Sequence, residues 1–119
     1  MKFLGIRFCS VSENAEELAK FLGDGLGLEA KKLQDLNSSQ EFSGAVFPAG
    51  DSWIEVWKEG PGMPKGIMLQ IIVDDADAWA KRAKENGLNP DGPFDEHGER
   101  IYYLQAPGGL PVSFQSKLE

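Results

Sequence analysis

The chain has 119 residues, 41% of them hydrophobic and 26% charged, with a formal net charge of −7. That length and balance describe one compact domain able to fold without disulfides or metal, and they exclude the disordered and membrane-spanning classes. The acidic surplus repels phosphate backbones, so nucleic acid is not an expected partner; it reads either as solubility or as attraction for a cationic small molecule.

The amino-terminal "KFLGIRFCSV" (2–11) is rich in β-branched and aromatic residues and predicts a strand. Its apolar run is broken by Arg7 and is too short for a signal peptide, and no segment reaches the ~20 apolar residues of a membrane helix, so a cytoplasmic protein is expected. Cys9 is the only cysteine. It can form no intrachain disulfide and reads as a small buried hydrophobe. Leu4, Ile6 and Phe8 share one face of this strand and Arg7 the other; a bulge or one-residue slip would reconcile the charge with a packed sheet.

A helix is predicted from Ser12, with Glu13, Glu16 and Glu17 near its first turn. Ala15, Leu18, Ala19, Leu22 and Leu26 form its buried stripe, and "GDGLG" ends it. Strands are predicted at 29–36, 41–49 and 52–59, separated by "NSSQ" and "AGDS". "GPGMPKG" (60–66) reads as a linker. The order then restarts: a strand at 67–73, a helix at 74–87 capped by Asp74 or Asp75 with Ala76, Trp79, Ala80 and Ala83 inward, a weak strand near 89–95, a turn "DEHGE", a strand at 100–105, the turn "APGG" and a final strand. In "LPVSFQ" (110–115), Val112 and Phe114 share one face, and Pro111, Ser113 and Gln115 the other.

The two halves repeat each other at an offset of about 60 residues: Val11, "AK" (19–20), "GL" (27–28) against Val73, "AK" (80–81), "GL" (87–88). Each half reads strand, helix, strand, strand, strand, and neither has core enough to stand alone. The expected fold is therefore α+β: two tandem βαβββ modules forming a curved, cleft-enclosing mixed sheet with helices on the outside. Residues 1–119 make one domain, with module 1 at about 1–59, the linker at 60–66 and module 2 at about 67–119.

The stretches "SVSENAEELAKFLGDGLGLE" (10–29), "SWIEVW" (52–57), "IIVDDADAWAKRAKENGL" (71–88) and "YYLQAPGGLPVSFQ" (102–115) resemble the vicinal oxygen chelate superfamily, which holds glyoxalase I, extradiol dioxygenases, fosfomycin-resistance enzymes and bleomycin-resistance proteins. In its metal-dependent members the resemblance implies four ligands, usually His, Gln or Glu, on the first, fourth, fifth and eighth strands. Those positions fall near Ile6 (with Gly5 or Arg7 one residue away), at Glu55, at Met68 and at Ser113. Only Glu55 matches. Ala106 also replaces the Asp that the family places before Pro107. Divalent sites of this kind take three or four N or O donors at about 2.0–2.2 Å, so neither a metal nor another cofactor is expected.

Alternation assigns the cleft face. With Ile54 and Val56 turned to the helix, Trp53, Glu55 and Trp57 face the cleft. Met68, Gln70 and Ile72 do so on the next strand, and Ser113 on the last. Tyr102 or Tyr103 faces inward from the strand at 100–105, and Tyr102 is taken. The expected ligand-binding set is Trp53, Glu55, Trp57, Met68, Gln70, Tyr102 and Ser113. Two indoles beside a carboxylate suit an aromatic or cationic ligand; a subunit interface is the bland reading, and the cleft is favoured over it.

No Ser–His–acid arrangement stands out, so no catalytic residue is assigned. His97, the sole histidine, reads as an exposed turn residue, and "APGG" and "GPG" as turns rather than phosphate cradles. The function expected is a metal-free binding protein, dimeric by default, that sequesters a small aromatic or cationic molecule as bleomycin-resistance proteins do. A glyoxalase-like lyase, isomerase or dioxygenase with a degenerate metal site is the alternative, with Glu55 as surviving ligand or general base. A structural module without ligand is the third reading.

Overall fold

The computed structural model describes residues 1–31 and 43–118. It is an α+β fold with seven strands and two helices in the described residues: β1 Phe3–Ser12, α1 Ala15–Lys20, β2 Gly44–Ala49, β3 Ser52–Lys58, β4 Gly66–Val73, α2 Ala76–Glu85, β5 Asp91–Glu96, β6 Glu99–Gln105 and β7 Pro111–Lys117. The strand predicted at 29–36 has residues 32–36 outside the described residues; Lys31 forms an isolated antiparallel bridge to Val46.

The chain forms two compact units, one of Met1–Arg7 with Met68–Glu119 and the other of Phe8–Ile67. One boundary falls inside β1, between Arg7 and Phe8, and the other inside β4, between Ile67 and Met68, just past the predicted linker. Lys2, just before β1, is tied to the rest of its unit: its amide donates to the Asp74 carboxylate (2.9 Å), and its carbonyl accepts from the Asp74 amide (3.1 Å). "GPGMPKG" is itself ordered as a turn in which Gly60 and Met63 exchange two backbone hydrogen bonds.

In the unit of residues 8–67 the strand order is β2-β3-β1. β2 and β3 are antiparallel, with Ala45 opposite Val56 and Phe47 opposite Ile54. These four side chains face α1 and pack with Ala15, Leu18, Ala19 and Leu22. Ser12 precedes the helix, its hydroxyl accepting from the Asn14 amide. The α-helix lasts only six residues and passes into a π-helical turn at Phe21–Gly25. The wider turn breaks the 3.6-residue stripe. Leu22 therefore packs inward, whereas Leu26, predicted in the stripe, is 61% exposed.

In the other unit the order is β1-β4-β7-β6-β5, with β4 and β7 parallel and β7, β6 and β5 antiparallel. The Asp75 carboxylate caps α2 by accepting from the Ala78 amide. Ala76 and Ala80 are buried against the sheet with Val73, Tyr102 and Phe114. The tyrosine and phenylalanine rings stack at 5.2 Å.

Candidate functional site

Two polar arrangements stand on sheet faces turned away from the helices, one in each unit. The first is on β3. With Ile54 and Val56 committed to α1, strand alternation turns Trp53, Glu55 and Trp57 to the opposite face. The pairing sets Pro48 opposite Trp53, Val46 opposite Glu55 and Gly44 opposite Trp57. A Cβ at Gly44 would stand 2.1 Å from the Trp57 ring, so the indole lies across a position that only glycine leaves open.

Both indoles bind the same carboxylate. Trp53 Nε1 donates to Glu55 Oε2 at 2.6 Å, and Trp57 Nε1 to Oε1 at 2.9 Å. An indole N–H lies in its ring plane, so the rings meet the carboxylate edge-on. Charge-assisted bonds of this kind hold the rotamers of all three side chains. Cys9 feels the same charge: burial, and then the Glu55 carboxylate, push its thiol up to about 11.

The second arrangement joins β1, β6 and β7. Ser113 stands beside Gln70 on β4 and opposite Tyr103 on β6, and Gln115 stands opposite Ile101. Ser113 Oγ donates to Gln115 Oε1 (2.8 Å), and Gln115 Nε2 donates to Glu99 Oε1 (2.9 Å). Arg7 closes the chain with both terminal nitrogens, Nη1 to Glu99 Oε1 (2.8 Å) and Nη2 to Oε2 (2.9 Å). Ser113 and Gln115 are only 1% and 3% exposed, so these bonds satisfy groups that are costly to bury alone. Burial raises the Glu99 pKa, but the hydrogen bonds from Arg7 and Gln115 and the Arg7 charge outweigh it and hold the carboxyl below its ordinary value.

The sequence expectations meet this geometry unevenly. Trp53, Glu55 and Trp57 come together on one face. Gln70 and Ser113 are neighbours, and Met68 shares their face by alternation. Tyr102 is a correction: it belongs to the α2-packed core, where its hydroxyl donates to Asp77. The residue that faces with Ser113 is Tyr103. Nor does Arg7 need a bulge, since β1 runs unbroken and Glu99 compensates its charge. Arg7, Glu99 and Gln115 were absent from the expected set. The one signal for them was a lone arginine inside an apolar strand. His97 lies in an exposed turn, as expected, and its φ is positive.

Residues 7–114 match the family model described as the Glyoxalase/Bleomycin resistance protein/Dioxygenase superfamily. The chain belongs to this superfamily. No functionally curated protein matches it. Among solved structures, a hypothetical protein from Bacillus halodurans C-125 is similar at a TM-score of 0.70 and 22% identity, covering 99% of this chain and 95% of that one. A glyoxalase/bleomycin resistance protein/dioxygenase superfamily member from Vibrio splendidus 12B01 aligns at 0.66 and 15% identity, covering 94% and 97%. A methylmalonyl-CoA epimerase from Mycobacterium tuberculosis aligns at 0.63 and 16% identity, covering 98% and 88%. At these identities the likeness is one of fold.

The residues that the resemblance sets at metal positions do not make up a divalent donor set. Glu55 is the one anionic donor among them, and each of its oxygens accepts an indole N–H. Met68 offers a soft thioether. Ser113 offers a neutral hydroxyl that donates to Gln115. Among the described residues no three His, Cys, Asp or Glu side chains are grouped to hold a metal.

Proposed function

We propose that this superfamily member is a metal-free binding protein for a small aromatic or cationic molecule, recognised by the Trp53–Glu55–Trp57 face of β3. The observation that carries the reading is the pair of indole N–H bonds to one carboxylate. They fix two large apolar rings and a negative charge side by side before any ligand arrives. Preorganisation of this kind reduces the ordering cost of binding. Each carboxylate oxygen has a lone pair beyond the one its indole uses, open to a cation or an amide N–H. The π-faces of tryptophan attract cations, and the chain's net charge of −7 favours their approach.

The test is calorimetric titration with 1-methylquinolinium, a flat cation, beside neutral quinoline at a pH above its own titration. The reading expects saturable binding of the cation, weaker binding of quinoline, and loss of about tenfold or more in Trp53→Phe and in Trp57→Phe. Equal affinity of wild type and both variants for the cation would remove β3 from the site.

A further inference from the structure

A cavity lies between α2 and the strands of its own unit. The helix presents alanines to the sheet. Ala76 and Ala80 close on it, but past them the short Ala83 side chain leaves a space of about 280 Å³. Ile71, Leu104, Val112 and Phe114 wall it from the sheet, Trp79 from the helix and Leu88 from the segment that follows. This volume approaches that of small-molecule pockets.

The walls are carbon, and the rim is not. Arg82 and Asn86 complete the lining, and Arg82 is the one charged residue in it. Among the described residues Arg82 makes no ion pair. The last carbonyls of α2 do not compete for that place. The Arg82 carbonyl accepts from the amide and side chain of Asn86, that of Ala83 from Asn86 and Leu88, and that of Lys84 from Gly87. What remains at the mouth is a cation beside an apolar hollow.

We propose that this cavity binds the apolar body of a small anionic amphiphile, a medium-chain or aryl carboxylate, with its carboxylate on Arg82. A guanidinium at the rim pairs with the head group while the tail leaves water. This site shares no residue with the β3 face and differs from it in sign of charge and in ligand.

The test uses the full chain carrying Trp53→Phe and Trp57→Phe, so that Trp79, in the cavity wall, is the sole indole. Its emission is followed during titration with sodium octanoate, 1-octanol and octyltrimethylammonium. The proposal expects a saturable change with octanoate, weaker binding of the alcohol and weakest binding of the cation. Adding Arg82→Gln lowers octanoate affinity about fivefold and leaves octanol unchanged. Adding Ala83→Leu fills the hollow and abolishes all three responses. The absence of a saturable octanoate response would overturn the proposal, as would octanoate binding unaltered by Arg82→Gln. Arg82 is exposed, so that arm stands even where Ala83→Leu does not fold.

Discussion

Arg7 on β1 and Glu99 on β6 lie 92 positions apart and meet through two parallel hydrogen bonds, with each side chain 13% exposed. The pair anchors the first part of β1 to the unit formed by Met68–Glu119. Removing one partner of a largely buried ion pair leaves the other charge uncompensated, which costs more than the intact pair contributes. Glu99→Gln is expected to lower stability by about 2–4 kcal/mol. Replacing Arg7 and Glu99 together by Met and Leu is expected to recover most of that loss. Urea unfolding of wild type, Arg7→Met, Glu99→Leu and the double variant measures the coupling, and additive losses would contradict a direct pair.

The same carboxylate sets an acid limit. Its folded pKa lies below the ordinary value of 4.5. Its stabilisation is therefore complete above about pH 4.5 and is lost as pH falls through the lower, folded value. Exposed Asp74, Asp77 and Asp95 are also held low, so the informative quantity is the difference between wild type and Glu99→Gln. That difference is expected to shrink on acidification from pH 6 to the acid transition. A gap constant across that range would contradict the assignment.

Gly44 controls the placement of Trp57. Gly44→Ala drives a Cβ into the indole, and the expected cost is about 1–3 kcal/mol with a shifted tryptophan emission. In a Trp57→Leu background the same substitution is expected to cost much less, since the flexible leucine can move aside. Equal costs in both backgrounds would place the strain elsewhere.

Cys9 is expected to be an inert thiol. With its pKa pushed up to about 11 by burial and by Glu55, only about one molecule in a thousand carries the thiolate at pH 8. Alkylation by iodoacetamide should run about a hundredfold slower than for a free cysteine. Glu55→Gln should speed it, because the repelling charge is gone. A thiol that reacts at the free-cysteine rate would contradict the described surroundings of Cys9.

Much of this was legible in the sequence, and the limits have physical causes. Alternation in "SWIEVWK" sorted Trp53, Glu55 and Trp57 from Ile54 and Val56 because the two central residues of one β3 face are apolar and pack on α1. The same logic separated Ser113 from Phe114. It failed at Tyr102 and Tyr103, where adjacent, equally amphipathic rings carry no parity signal. Only the register against Phe114 and Ser113 decides between them. Leu26 was misplaced because a π-helical turn leaves no mark in hydrophobic spacing. The partners of Arg7 could not be read at all, since a contact spanning 92 positions is set by sheet order. Ser113, first seen as a missing metal ligand, proved to be a buried donor to Gln115.

The central claim is that the β3 face binds an aromatic cation. It is tested most directly in a Trp79→Phe protein, where all indole emission comes from Trp53 and Trp57. Titration with 1-methylquinolinium should quench that emission saturably, and Glu55→Gln should weaken the affinity about tenfold. Quenching that rises linearly without saturation, at the rate of free tryptophan in solution, would contradict the claim.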